Sequence, residues 1–311
     1  MLAFIAPGQG AQTPGMLEPW LSDPTAKDLL AQWSAQIDLD LLRLGTTADA
    51  DEIKNTAYAQ PLIVAAGLLG ARALGNAKIA IVAGHSVGEI TAAAIAGVID
   101  EVDAMKLVRT RGSEMAKAAA LAPAGMSAVL GGDREVVLRA IADLGLVPAN
   151  DNGAGQIVAA GDLDALAKLA PEGARVRALA VAGAFHTSYM QPAVEPLREI
   201  AAKMSVRSSN CPVISNKDGA VLQDGREILD RIVAQISNPV RWDLCMTTLA
   251  AHVSGAVEVP PAGTLVGLLK RAVPIIETFA LKSAEDVTLA KEFIVRHQDE
   301  ENLDEQNEED K

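Results

Sequence analysis

The sequence predicts an α/β protein, a parallel sheet with covering helices that carries an inserted small subdomain of ferredoxin-like order. Short apolar runs that read as buried strands alternate with longer stretches of helical periodicity. Gly84-His85-Ser86-Val87-Gly88 stands between one such strand and one such helix. From about residue 123 to 184 the order changes to strand, helix, strand, strand, helix, strand. At 311 residues the chain can bury a large core and suits one large domain with an insertion better than several independent ones.

Taken in order, 2–6 (LAFIA) reads as a buried strand ended by the turn Pro7-Gly8-Gln9-Gly10-Ala11-Gln12. Gly8 and Gly10 begin a dinucleotide-binding fingerprint, but Thr13 occupies the third glycine position, so that reading is weak. Helical patterns follow at 25–37 and 60–73, then a strand at 77–83 (AKIAIVA), then an Ala-rich helix at 87–96 closed by Gly97. Asp100 can cap a helix running to about Ala119. In the inserted unit, 126–130 is a strand, and Asp133 caps a helix with apolar Val136, Val137, Ala140, Ile141 and Leu144. Strands at 146–149 and 156–160 come next, then Asp162 caps a helix with Leu163, Leu166 and Leu169, and 175–181 alternates as a half-buried strand does. Further helices and strands continue to about Phe279, with a last helix near 284–296. The expected division is a body of 1–122 and 187–290, a subdomain of 123–186, and 291–311 as helix end and acidic tail.

The net charge of −13 disfavours nucleic acid and anionic membrane as partners. Residues 298–311 hold eight acids and one lysine, which leaves −6 for the rest. With almost nothing apolar to bury, that tail is expected to be solvated, disordered chain. No apolar run approaches the roughly 18 residues of a membrane helix, and 1–6 is too short for a signal-peptide core. A cytoplasmic location is the expectation, consistent with Cys211 and Cys245 read as structural filler. The four histidines are scattered and no metal-ligand spacing is present.

The G-x-S-x-G pattern between strand and helix is a nucleophile elbow, which exposes the Ser86 hydroxyl beside the first free amides of a helix. A serine nucleophile needs a base. His85 adjoins it but leaves the turn in another direction, as a structural or wall residue, and His252 and His297 read as surface residues. His186 lies in a turn, Gly183-Ala184-Phe185-His186-Thr187-Ser188, at the junction of subdomain and body, and is either the base or a loop histidine. Arg111 falls on the apolar stripe of its helix with Ala104, Leu107, Val108 and Met115. It is either half of a buried ion pair with a distant acid or a fork for a substrate carboxylate.

These residues resemble those of the malonyl-coenzyme A:acyl carrier protein transacylase family. The likeness covers nearly the whole chain to about Phe279 through Pro7-Gly8-Gln9-Gly10-Ala11-Gln12, Gly84-His85-Ser86-Val87-Gly88-Glu89, Arg109-Thr110-Arg111-Gly112, Ala184-Phe185-His186 and Asn238-Pro239-Val240-Arg241-Trp242. The resemblance implies an α/β-hydrolase-like body with a ferredoxin-like subdomain. It implies Ser86 as nucleophile, His186 as base, Gln235 as the residue whose carbonyl orients that histidine, and Arg111 on the malonyl carboxylate. Backbone amides of Gln9 and Val87 would form the oxyanion hole, and Phe185 would crowd an α-methyl branch. Malonyl-CoA and acyl carrier protein are the implied partners, with no metal or redox cofactor. The relatives' G-P-G-x-x-L segment is Pro260-Pro261-Ala262-Gly263-Thr264-Leu265 here, and the acidic tail has no counterpart. The alternatives are a serine esterase or thioesterase on the same elbow, which should carry an acid between the serine and a late histidine whereas His186 lies mid-chain with no obvious acid partner, and a non-catalytic carrier-protein binding module, which needs no elbow.

Overall fold

All five residues of Leu2–Ala6 are buried, as expected of a strand with neighbours on both edges and cover on both faces. The computed structural model describes the backbone of residues 1–309 and the side chains of 1–298. Its elements run β1 (Leu2–Ala6), α1 (Pro24–Ile37), α2 (Leu41–Thr46), α3 (Thr56–Leu74), β2 (Ile81–Gly84), α4 (Gly88–Ile95), α5 (Glu101–Ala119), β3 (Ala124–Gly131), α6 (Arg134–Asp143), β4 (Val147–Asp151), β5 (Gln156–Asp162), α7 (Leu163–Lys168), β6 (Ala174–Ala178), α8 (Gln191–Ala201), β7 (Val213–Ile214), β8 (Val221–Leu222), α9 (Gly225–Gln235), β9 (Val240–Arg241), α10 (Trp242–His252), β10 (Gly255–Glu258), α11 (Thr264–Ala272), β11 (Glu277–Ala280) and α12 (Val287–Glu309).

The larger sheet has the order β11-β10-β1-β2-β7-β8. Its pairings are parallel except for the β7–β8 edge pair. By length and composition α3 could cross a membrane, but 72% of its apolar window is buried inside the protein. It is a core helix, packed against α4 and α5.

The second sheet has the order β6-β3-β5-β4-β9. Its first four strands are antiparallel and, with α6 and α7, reproduce the expected strand, helix, strand, strand, helix, strand sequence. The fifth strand comes from outside residues 123–186: β9, within the Asn238–Trp242 motif, pairs parallel with β4. A strand of two residues has no periodicity to read, and it covers an edge that β4 would otherwise expose.

The caps fall where the sequence puts them. Asp100 accepts from Asp103 N, Asp133 from Glu135 N and Val136 N, and Asp162 from Ala165 N. Four local expectations are corrected. The strand expected at 77–83 begins at Ile81. Val136 and Leu163, assigned to apolar helix faces, are exposed. His297, read as a surface residue, is buried: its ring packs where a side chain at Gly255 would stand and bonds Ser254. The final helix continues to Glu309 rather than stopping near Arg296, because Glu and Gln are good helix formers and can prolong a helix already begun. The disorder expected for 298–311 falls on residues whose side chains from 299 onward, and whose backbone at 310–311, lie outside the described ones.

Candidate active site

β2 ends at Gly84 and α4 begins at Gly88, so the chain must reverse within three residues. Ser86 meets that demand with φ 54°, a left-handed conformation that costs a non-glycine residue energy unless its surroundings hold it. Two hydrogen bonds from distant side chains hold it. Ser86 N donates to Asn216 Oδ1 at 2.7 Å, and Gln235 Nε2 donates to Ser86 O at 3.0 Å. The glycines permit the close packing this requires. A Cβ on Gly84 would lie 2.0 Å from the Gly88 carbonyl carbon, and one on Gly88 would lie 2.2 Å from Ala6 O. A Cβ on Gly8 would meet His85 O at 2.8 Å, so the turn after β1 is laid directly against the elbow.

His186 also has a positive φ, 62°. Its turn is clamped by Thr187 Oγ1, which donates to Ala184 O at 2.6 Å, and by His186 N, which donates to Ile236 O at 3.1 Å. His186 Nδ1 lies 2.9 Å from Gln235 O, and Nε2 lies 2.8 Å from Ser86 Oγ. A carbonyl can only accept, so the proton sits on Nδ1 and the Nε2 lone pair faces the serine hydroxyl. Burial, then the charge of Arg111, pushes the imidazole down to a pKa of about 3, and it is neutral at physiological pH.

Arg111 projects from the middle of α5 and is 1% exposed. Nη1 donates to Gln60 Oε1 at 2.7 Å, and Nη2 donates to Gln235 Oε1 at 2.8 Å and to Ser86 Oγ at 3.3 Å. Its Nε has no partner among the described residues. Burial lowers its pKa to about 10 against the opposing pull of Glu89, so it keeps its charge. No acid pairs with it directly among the described residues; Glu114 faces Lys117, as its position on the polar face requires.

Gln9 is tied to α3, its Nε2 donating to Thr56 Oγ1 at 3.2 Å and its Oε1 accepting from Gln60 Nε2 at 3.4 Å. Gln60 thus joins the Gln9 turn to Arg111. The backbone amides of Gln9 and Val87 donate no hydrogen bond among the described residues. Phe185 is buried in the main core beside His186. His85 turns away from the serine: Nε2 lies 2.9 Å from Asn152 Oδ1 and the ring meets Trp242 edge-on. It forms a wall between the elbow and the second sheet. His252 is exposed. Both thiols are pushed up by burial, Cys211 to about 11. Among the described residues no three His, Cys, Asp or Glu side chains are grouped to hold a metal.

Sequence reasoning missed Asn216, Gln60 and the part played by Glu89. Asn216 N donates to Glu89 Oε1 at 2.7 Å and Asn216 Nδ2 to Gly84 O at 2.6 Å, while Gln235 Nε2 donates to Glu89 Oε2. The available signals were a glutamine heading an apolar helix pattern and an acid in the first turn of an Ala-rich one. Asn216, just past a two-residue strand, gave none.

A hydroxyl on a strained elbow, a neutral imidazole aligned on it and a buried guanidinium beside both define a serine-dependent acyl-transfer class. Residues 3–305 match the family described as acyl transferase domain. The chain is 54% identical over 296 residues to malonyl CoA-acyl carrier protein transacylase of Mycobacterium tuberculosis, spanning 92% of this chain and 98% of that one. The crystal structure of MCAT from Mycobacterium tuberculosis matches with a TM-score of 0.89 over 92% of this chain and 98% of that one. A structure of a type II polyketide synthase acyl-carrier protein in complex with its malonyl-transacylase is 30% identical, with a TM-score of 0.87 over 94% of this chain and 99% of that one. The chain belongs to the malonyl CoA-acyl carrier protein transacylase family.

Proposed function

We propose that the chain transfers the malonyl group from malonyl-CoA to the phosphopantetheine thiol of an acyl carrier protein through an acyl-Ser86 intermediate. One observation carries the reading. The Arg111 guanidinium sits 3.3 Å from the nucleophile, keeps its charge in a buried site, and among the described residues is hydrogen-bonded only by neutral amides and a hydroxyl. A carboxylate one carbon removed from the reacting carbonyl supplies the anion such a site favours.

In the first half-reaction Ser86 Oγ attacks the thioester carbonyl while His186 Nε2 takes its proton. The amides of Gln9 and Val87 receive the oxyanion. The C–S bond then breaks, and the imidazolium returns its proton to the coenzyme A sulfur. In the second, the carrier thiol gives its proton to Nε2 and its sulfur attacks the malonyl ester, so Ser86 departs with the proton restored. Burial, then Arg111, disfavours the imidazolium, so His186 holds the proton only while the negative charge of the oxyanion offsets both. No step requires a metal or redox cofactor. Phe185 beside the base crowds an α-methyl branch and favours malonyl over methylmalonyl.

The esterase and binding-module readings are less well supported. The imidazole leans on a backbone carbonyl rather than a carboxylate, and neither alternative has a use for Arg111. For the architecture, we take 1–122 with 187–290 as an α/β-hydrolase-like body, 123–186 as a ferredoxin-like subdomain, and the cytoplasm as the location. A panel of malonyl, methylmalonyl and acetyl thioesters tests the function, with holo carrier protein and water as acceptors. Malonyl transfer to carrier protein should dominate, and predominant release to water would favour the hydrolase.

A further inference from the structure

We propose that Glu89 is a positioning residue that sets the orientation of the Gln235 side-chain amide and, through it, of the Arg111 guanidinium. The proposal rests on the malonyl-transfer reading and concerns a group with no part in the proton transfers. Glu89 is 2% exposed, in the first turn of α4. Both of its oxygens face donors: Oε1 faces Asn216 N and Oε2 faces Gln235 Nε2. An ionised carboxylate only accepts, so it requires the NH₂ end of Gln235 to point toward it. That leaves Gln235 Oε1 facing Arg111 Nη2 at 2.8 Å. A flipped amide would set oxygen against carboxylate and NH₂ against guanidinium, two repulsive contacts in a buried site. The same carboxylate anchors Asn216, whose side chain receives Ser86 N and donates to Gly84 O. One charge thus steadies both the elbow and the carboxylate fork.

A protonated Glu89 breaks this pattern, because its hydroxyl would meet a donor at either oxygen. Burial pushes its pKa up to about 7, opposed by the hydrogen bonds of Asn216 and Gln235 and by the charges of Arg111 on α5 and Arg231 on α9. Cys245 on α10 also faces it, as an uncharged thiol. The ordered form is therefore lost as pH falls through about 7. His186, at about 3, does not titrate there. An acid limb near neutral pH in the acylation rate accordingly belongs to Glu89 and not to the base.

The test is Glu89→Gln, which keeps shape and removes the charge, read as acyl-Ser86 formation from malonyl and acetyl thioesters across the pH range. At about pH 8 malonyl kcat/KM should fall roughly tenfold or more, with a smaller loss for acetyl, since both substrates share the elbow and only malonyl also needs the fork. The limb near neutral pH should vanish. A limb that survives, or equal losses for the two substrates, overturns the proposal. If Glu89→Gln does not fold, Gln235→Ala decides, because it removes a donor from Glu89 but leaves the backbone carbonyl on His186. A limb that moves to higher pH then supports Glu89, and an unmoved limb refutes it. Wild-type protein that malonyl-CoA does not acylate would overturn the functional reading instead.

Discussion

Arg111 is a buried cation whose neighbours satisfy its geometry without neutralising it, since Gln60 and Gln235 offer oxygens and no formal charge. Removing it should therefore act on one substrate more than another. Arg111→Ala should cost malonyl transfer roughly 2 to 5 kcal/mol, much of it the penalty of an unpaired carboxylate, and shift preference toward neutral acyl groups. Parallel kcat/KM values for malonyl and acetyl thioesters, with a thermal midpoint, check this. Equal losses with a lowered midpoint would make Arg111 a structural residue. At this scale the sequence was informative where chemistry restricts residue type. Serine in an elbow and arginine in an apolar stripe stand out because both are costly placements. Glu89 and Asn216 did not, because an acid near a helix start and an asparagine in a loop are ordinary in sequence and become unusual only when burial is seen.

The elbow as an element depends on what its glycines leave out. Gly88→Ala would place a Cβ 2.2 Å from Ala6 O, against backbone that cannot yield cheaply. It should destabilise by about 1 to 3 kcal/mol or more and move Ser86 off its alignment with His186, lowering both melting temperature and transfer rate. Gly267→Ala on α11 is the control, since its Cβ would meet only Arg271 Nη1 at 3.8 Å. It should leave transfer unchanged and stabilise by roughly 0.5 to 1 kcal/mol. Loss of activity in both variants would show that the elbow's packing is not special. Element positions were legible wherever a cap or a period marked them, as at Asp100, Asp133 and Asp162. Where neither exists the sequence was silent: β9 is too short to alternate, and the acidic end of α12 has no apolar face to announce a helix.

Across the whole molecule, the site is a meeting of distant segments. Ser86 lies in the turn that leaves the central sheet, His186 where the chain leaves the subdomain, Gln60 and Arg111 on neighbouring helices, and Gln235 at the end of α9. The second sheet is bound into the same assembly by β9 and by the His85–Asn152 contact at the elbow's flank. Periodicity gave the layers and motif order gave the family, but neither could give contacts across more than a hundred residues, such as Gln235 on Ser86. On the proposed reading this assembly carries a malonyl group on Ser86 and yields it to a thiol. Intact-protein mass spectrometry tests it most directly, following the chain mixed with malonyl-CoA and then chased with holo carrier protein. A single malonyl adduct should map to Ser86, persist in water and disappear as malonyl-carrier protein forms. An adduct on another residue, or one discharged to water as fast as to the carrier thiol, would contradict it.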